Sequence, residues 1–114
     1  MTTLDPRDGH VVLINTFTVK PGRADELVKL LANATDRGIR NLPGFVSANL
    51  HVSFDGSKVV NYAQWRSKED FERMRSSDEF KKHTADVEAL IEGFEPVLYE
   101  LRYSHAVERE GAPA

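Results

Sequence analysis

Asn61 and Trp65 stand four residues apart in the string Asn-Tyr-Ala-Gln-Trp, within a run bearing β-branched residues at Val59 and Val60. Side chains alternate along a strand, so both point to one face. Both offer N–H donors, and the indole adds a flat apolar wall, a combination suited to an aromatic ligand that carries oxygen. The structural alternative is a packed indole beside a satisfied core amide. Two histidines could move a proton, since an ordinary imidazole titrates at about pH 6.5. His51 lies on the preceding strand and shares the face of Asn61 only in one of the two hairpin registers; in the other it is a surface histidine. His83 sits beside an apolar helical stripe, where it is a rim or core residue, a base, or an iron ligand. Asn15 interrupts an otherwise apolar strand face and needs a partner if buried.

The rest of the chain narrows the chemistry. It has no cysteine, which removes thiol catalysis, disulfides, iron–sulfur clusters and cysteine-ligated zinc, and suits a cytoplasmic, reducing setting. No phosphate-binding loop, dinucleotide fingerprint, zinc motif or nucleophile elbow occurs. Fifteen basic residues against eighteen acidic ones, without a basic run, argue against nucleic acid as a partner. No segment approaches the roughly 20 apolar residues of a membrane span, and residues 1–10 lack the apolar run of a signal peptide.

The elements that must position these residues follow from periodicity. Residues 10–19 alternate and are apolar on both faces, with Val11, Leu13, Asn15, Phe17 and Val19 on one side, which predicts a strand. Leu27, Leu30, Leu31 and Ala34 recur at helical spacing from Arg23 to about Arg40, ending before Leu42-Pro43-Gly44. Two strands, 45–53 and 58–66, flank Asp55-Gly56, a hairpin signal. Ser67 caps a helix with Asp70 as its reciprocal partner, and Phe71 and Met74 form the inner stripe. Ser76-Ser77-Asp78 marks a break and a second cap. Phe80, Thr84, Val87 and Ile91 then share a helix face that Gly93 and Pro96 close, and a last strand is expected over 97–105. Residues 1–9 read as a flexible arm and 106–114 as a tail.

The order strand, helix, strand, strand, broken helix, strand predicts a ferredoxin-like α+β domain over residues 10–105, a four-stranded antiparallel sheet with the helices on one face. Because the first strand is apolar on its other face too, a second copy is expected to cover the open side, giving a homodimeric α+β barrel.

The stretch from Pro43 to Phe71 carries Pro-Gly-Phe at 43–45, Leu50-His51, Asp55-Gly56 and Val-Asn-Tyr-Ala-Gln-Trp at 60–65. In these motifs the chain resembles the antibiotic biosynthesis monooxygenase family. The resemblance implies a dimeric barrel with a pocket between each sheet and its helices. It also implies oxidation of a phenolic, polyketide-like aromatic to a quinone by O₂. In such enzymes the ionised substrate itself gives an electron to O₂, so neither flavin nor metal is needed. Asn61 and Trp65 match positions that hydrogen-bond substrate oxygens, and His51 matches a pocket-edge histidine. Where some members place a pocket tyrosine this chain has Phe71, and a pocket arginine on the later helix has no clear match, His83 lying near that place. A haem-degrading branch of the same superfamily offers the alternative: its pocket asparagine falls at Asn15, its haem-ligating histidine at His83, and its haem-packing tryptophan at Met74. A third reading is a non-catalytic dimeric protein that binds an apolar metabolite.

Overall fold

Val11–Val19 forms β1, the strand on which the architecture is built. The computed structural model describes residues 2–107. The remaining elements are α1 (Ala24–Arg37), β2 (Phe45–Val52), β3 (Lys58–Trp65), α2 (Lys68–Arg75), α3 (Asp78–Glu88) and β4 (Ile91–Glu100), with single 3₁₀ turns at Pro6–Asp8 and Ile39–Asn41. The four strands form one antiparallel sheet in the order β2-β3-β1-β4. The helices lie on the face that carries Leu13, Phe17 and Val59. This is the expected ferredoxin-like α+β plan.

The caps behave as their residue types require. Ser67 Oγ accepts from Asp70 N at 3.1 Å and donates to Asp70 Oδ2 at 2.9 Å. The carboxylate thus holds the capping hydroxyl, where a full capping box would reach the cap's backbone N–H. Ser77 Oγ accepts from Phe80 N at 3.2 Å and starts α3. In the β2–β3 hairpin, Asp55 Oδ1 accepts from Ser57 N, Ser57 Oγ and Ser53 Oγ. The Ser57 amide and those hydroxyls draw the Asp55 carboxyl down to about 2, the backbone bond from Ser57 contributing most. Gly56 supplies the positive φ of 74° that this turn needs.

One boundary differs from expectation. The helical spacing of Phe80, Thr84 and Val87 does not extend to Ile91. Helix α3 ends at Glu88, and β4 already begins at Ile91, pairing with β1 from Val19 to Val11. Gly93 and Pro96, expected to terminate the helix, lie inside this strand. Its position at the sheet edge explains the tolerance, because an edge strand can accept a proline that donates nothing to the ladder. The register slips between Thr18 and Val19, next to Gly93, which is a bulge. The strand stops at Glu100, short of the expected end at His105, and Tyr103 is exposed. Helix α1 stops at Arg37 and gives way to a 3₁₀ turn. The part of the expected tail from 108 to 114 lies outside the described residues.

Ahead of β1 the arm lies against the sheet's outer face. Gln64, a buried polar residue only 2% exposed, accepts from Ser47 Oγ at 2.7 Å and donates to the Thr3 carbonyl at 2.9 Å. Thr2 Oγ1 reaches Asn49 Oδ1 at 2.8 Å. No helix among the described residues is long and apolar enough to cross a membrane.

Candidate active site

The helix-covered face of the sheet holds two separate apolar clusters. One gathers Phe17, Val19, Leu27, Val59, Leu90 and Ile91; the other gathers Leu13, Ala63, Trp65, Phe71 and Met74. Between them, on the two central strands, stand Asn15 and Asn61. The β1–β3 register sets these two directly opposite one another, and direct opposition puts their side chains on the same face.

A cavity of about 260 Å³ opens above this pair, between the sheet and the helices. Its lining is dominated by apolar and aromatic side chains, among them Phe45, Trp65, Phe71, Met74, Phe80 and Phe94. Asn15 Oδ1 and Asn61 Oδ1 are buried and accept no hydrogen bond, two of the three such side-chain atoms among the described residues. The third, His10 Nδ1, sits near the arm, away from this cavity. A buried polar group without a partner costs about 1–3 kcal/mol. Two of them side by side in an apolar chamber leave unused hydrogen-bonding capacity aimed at whatever enters. Each primary amide also carries N–H donors, so the pair can meet either a phenol hydroxyl or its ionised oxygen.

Trp65 is 2% exposed and forms part of the wall. Phe45 packs on it edge-to-face at 5.4 Å between ring centroids and Phe71 at 6.3 Å. The Pro43-Gly44-Phe45 segment builds this support. Gly44 has φ of 85°, a Cβ there would run into the Asp70 carboxylate, and its carbonyl accepts from Arg66 N at 2.8 Å. The backbone reversal delivers Phe45 onto Trp65, and the Ser67–Asp70 cap that sets α2 stands against it.

Of the residues singled out from the sequence, Asn15, Asn61, Trp65, Phe71, Met74 and His83 all line this one cavity. His51 does not. It pairs with Val60, so it projects from the opposite face of the sheet, and it is exposed. The hairpin register, with a bulge between Phe45 and Ser47, separates it from Asn61, whose partner across the ladder is Leu50. Its assignment as a pocket-edge base is thereby corrected. His83 comes from α3 and brings an imidazole to the cavity wall.

Arg75, unmarked in the sequence reading, also lines the cavity. Its guanidinium lies 5.9 Å from the centroid of the Phe71 ring. The available signal was its place one helical turn beyond Phe71, since residues four apart share a helix face. At the other end of α3, Glu88 reaches the same lining. No cluster of three or more His, Asp or Glu side chains arranged for a metal ion occurs among the described residues.

Residues 10–86 match the model of the antibiotic biosynthesis monooxygenase family. The chain belongs to that family. It is therefore a monooxygenase by class, as the motifs around Asn61 and Trp65 led us to expect. It is 40% identical over 113 residues to tetracenomycin-F1 monooxygenase of Streptomyces glaucescens, covering 98% of this chain and all of that protein. Among solved structures it is similar to the monooxygenase from ActVA-Orf6 of Streptomyces coelicolor in complex with nanaomycin D. That match has 33% identity and a TM-score of 0.76, and covers 91% of this chain and 96% of the other. It is also similar to SnoaB, a cofactor-independent oxygenase from Streptomyces nogalater, at 29% identity and a TM-score of 0.74, over 84% of this chain and 96% of that one.

Proposed function

We propose that this family member oxidises a phenolic, anthrone-type polycyclic aromatic of polyketide character to the corresponding quinone, using O₂ and no cofactor. The carrying observation is the Asn15–Asn61 pair, whose Oδ1 atoms are buried without a partner on the floor of an apolar cavity walled by Trp65. The chain's similarity to tetracenomycin-F1 monooxygenase and to SnoaB, a cofactor-independent oxygenase, supports the reading.

In the proposed reaction a ring methylene becomes a carbonyl: one oxygen atom of O₂ enters the carbon, and the other leaves as water with the two displaced hydrogens. The electrons come from the substrate. Loss of a proton gives an anion delocalised over the ring oxygens, and electron transfer to O₂ followed by recombination gives a peroxide. Elimination of water from that peroxide leaves the quinone. The asparagine amides hold the oxygen on which charge develops, and fixed dipoles in a chamber of low polarity stabilise it more than water-facing ones would. Trp65 and Phe71 lie against the ring system, and the apolar lining keeps water from the intermediates. His83 is the cavity imidazole able to take the proton. O₂ consumption and quinone absorbance with a dihydroxyanthrone, in buffer treated with chelator, test this. A panel of such phenols giving no turnover above background would remove it.

The haem-binding alternative keeps some support, because Asn15 and His83 reach the same cavity, while Met74 stands where that branch has an aromatic. Titration with haemin decides between them. A Soret shift lost in His83→Ala would favour haem; no shift would leave the cofactor-free reading. Saturable ligand binding without turnover would favour the metabolite-binding role.

We further infer that the active form is a homodimer. The sheet's outer face carries the partly exposed Ile14, Tyr62 and Val97 and the 48% exposed Tyr99. A second copy would cover this apolar surface, while the cavity on the opposite face stays open to substrate.

A further inference from the structure

The exposed residues of the cavity lining share one location. Arg75, Phe80, Glu88, Phe94 and Pro96 are exposed, and they come from the end of α2, from α3 and from β4. Those supplied by α1, β1, β2 and β3 are buried or partly buried. No residue of α3 is buried, as expected for a helix standing over an opening. The mouth is therefore the gap between α3 and the edge strand β4.

The ladder relates this mouth to the asparagine pair. Asn15 pairs with Asn61 on one side and with Pro96 on the other, so one row runs from the amides to the edge. Strands lie about 4.8 Å apart, which puts Asn15 about 5 Å and Asn61 about 10 Å from the edge strand. Towards β2 the cavity is walled by Phe45, Ala48 and the α1 residues Leu31 and Ala34. A guest seated on both amides and too long for the chamber therefore extends towards β4.

Phe94 flanks that route. It lies two residues from Pro96 and opposite Phe17, which puts it on the cavity face of the edge strand. It is 59% exposed. Of the large apolar side chains exposed among the described residues, only Phe80 and Phe94 line the cavity. Edge strands are usually guarded by charge or proline, and Glu92, Glu95, Pro96 and Glu100 fit that pattern. An exposed phenyl ring does not fit it, and offers a face on which a second aromatic ring packs.

We propose that Phe94 is a specificity-determining residue at the mouth, receiving the outermost ring of a fused aromatic guest whose oxygen-bearing ring sits on the amide pair. The site thereby selects guests of three or more rings over shorter ones. The oxygen-bearing ring is taken from the monooxygenase reading above; the preference for length rests on where the cavity opens.

The test titrates a hydroxynaphthoquinone, a hydroxyanthraquinone and a hydroxytetracenequinone, of two, three and four fused rings, against the intact protein. Quenching of Trp65, the chain's single tryptophan, reports occupancy. Phe94→Ala should weaken the three- and four-ring guests by about tenfold, the upper range for one aromatic pair. The two-ring guest should lose less than about twofold, since it ends short of the mouth. Phe94→Tyr keeps the ring and should keep the wild-type ratios. Phe54→Ala removes a fully exposed ring outside the cavity lining and should change none of them. Unchanged thermal midpoints would show that the variants are folded. Should Phe94→Ala be unstable, Phe94→Leu takes its place, with a smaller loss of the same dependence on ring number. Equal losses for all three guests, no loss for any, or failure of all three to bind the wild type would overturn the subsite. Equal losses with a fall in sedimenting mass would make Phe94 a subunit contact instead. O₂ uptake with a dihydroxyanthrone is followed in parallel. No uptake alongside a ring-dependent loss in Phe94→Ala would reject the oxygenase reading alone, and uptake without that dependence would reject the subsite alone.

Discussion

Asn15 and Asn61 face each other across the β1–β3 ladder, and the Oδ1 of each is buried without a partner. One residue along each strand in either direction points to the sheet's other face, and two residues along lie the apolar clusters. The amide pair is thus a narrow polar band between two hydrophobic cores. Its cost to the fold becomes useful once a guest supplies the missing hydrogen bonds.

Removing either amide should separate activity from stability. Asn61→Ala and Asn15→Ala are expected to lower kcat/KM by about 10²-fold, the lower end of the loss when one donor to a developing oxyanion is removed. The unfolding free energy should stay within about 1 kcal/mol of wild type or rise, because an unsatisfied buried group is deleted. Steady-state kinetics and urea denaturation on the same preparations check both halves. Severe destabilisation without a catalytic effect would mean that the pair is structural.

The two candidate bases should behave differently, since only His83 reaches the cavity. His83→Ala is expected to reduce turnover by about 10²-fold, the scale of a single general acid–base group. His51→Ala should change it by less than about twofold, as expected for an exposed side chain outside the site. Comparable losses in both would contradict the register that places His51 on the outer face.

Gly44→Ala should be poorly tolerated. Its φ of 85° and the Asp70 carboxylate in the path of a Cβ together predict a loss of about 1–3 kcal/mol. The turn also seats Phe45 on Trp65, so a red shift of tryptophan emission should accompany the lower denaturation midpoint. A midpoint equal to wild type would refute this account of the Pro-Gly-Phe motif.

Acid should weaken the α2 cap. Arg73 and then the Ser67 hydroxyl hold the Asp70 carboxyl below its ordinary value. A group whose pKa is depressed in the folded state stabilises above its unfolded value and loses that stabilisation as pH falls through the folded one. The cap's contribution should therefore be complete at neutrality and decline below about pH 4, the unfolded carboxylate range. Thermal midpoints of wild type and Asp70→Asn should differ at pH 7 and converge in acid. A gap that stays constant or widens would reverse the sign.

The outer sheet face offers a test of assembly. Ile14→Asp places a charge among Val12, Tyr62 and Val97 on the face we propose to be covered. Sedimentation should show wild type at twice the chain mass and the variant shifted toward the monomer. A monomeric wild type at micromolar concentration would reject the dimer.

Local signals in the chain were sufficient for much of this protein. Alternation placed Asn61 and Trp65 on one face of a strand, Ser67 and Ser77 marked the starts of α2 and α3, and Asp55-Gly56 marked the hairpin. Each depends on a few consecutive residues whose backbone preferences act without help from the rest of the fold. The order of elements predicted the ferredoxin-like plan for the same reason. What only the tertiary structure decided concerns pairings between distant segments. Register with β3 sent His51 to the outer face, because a slip of one residue reverses every side chain of a strand. Pairing with β1 extended β4 back through Pro96 and Gly93 to Ile91, overriding residues that locally read as a helix end. Helix packing brought Arg75 to the cavity, and the β1–β3 register turned two separate asparagines into one site. Such pairings are set by long-range burial and ladder hydrogen bonds, for which no short stretch of sequence carries the signal.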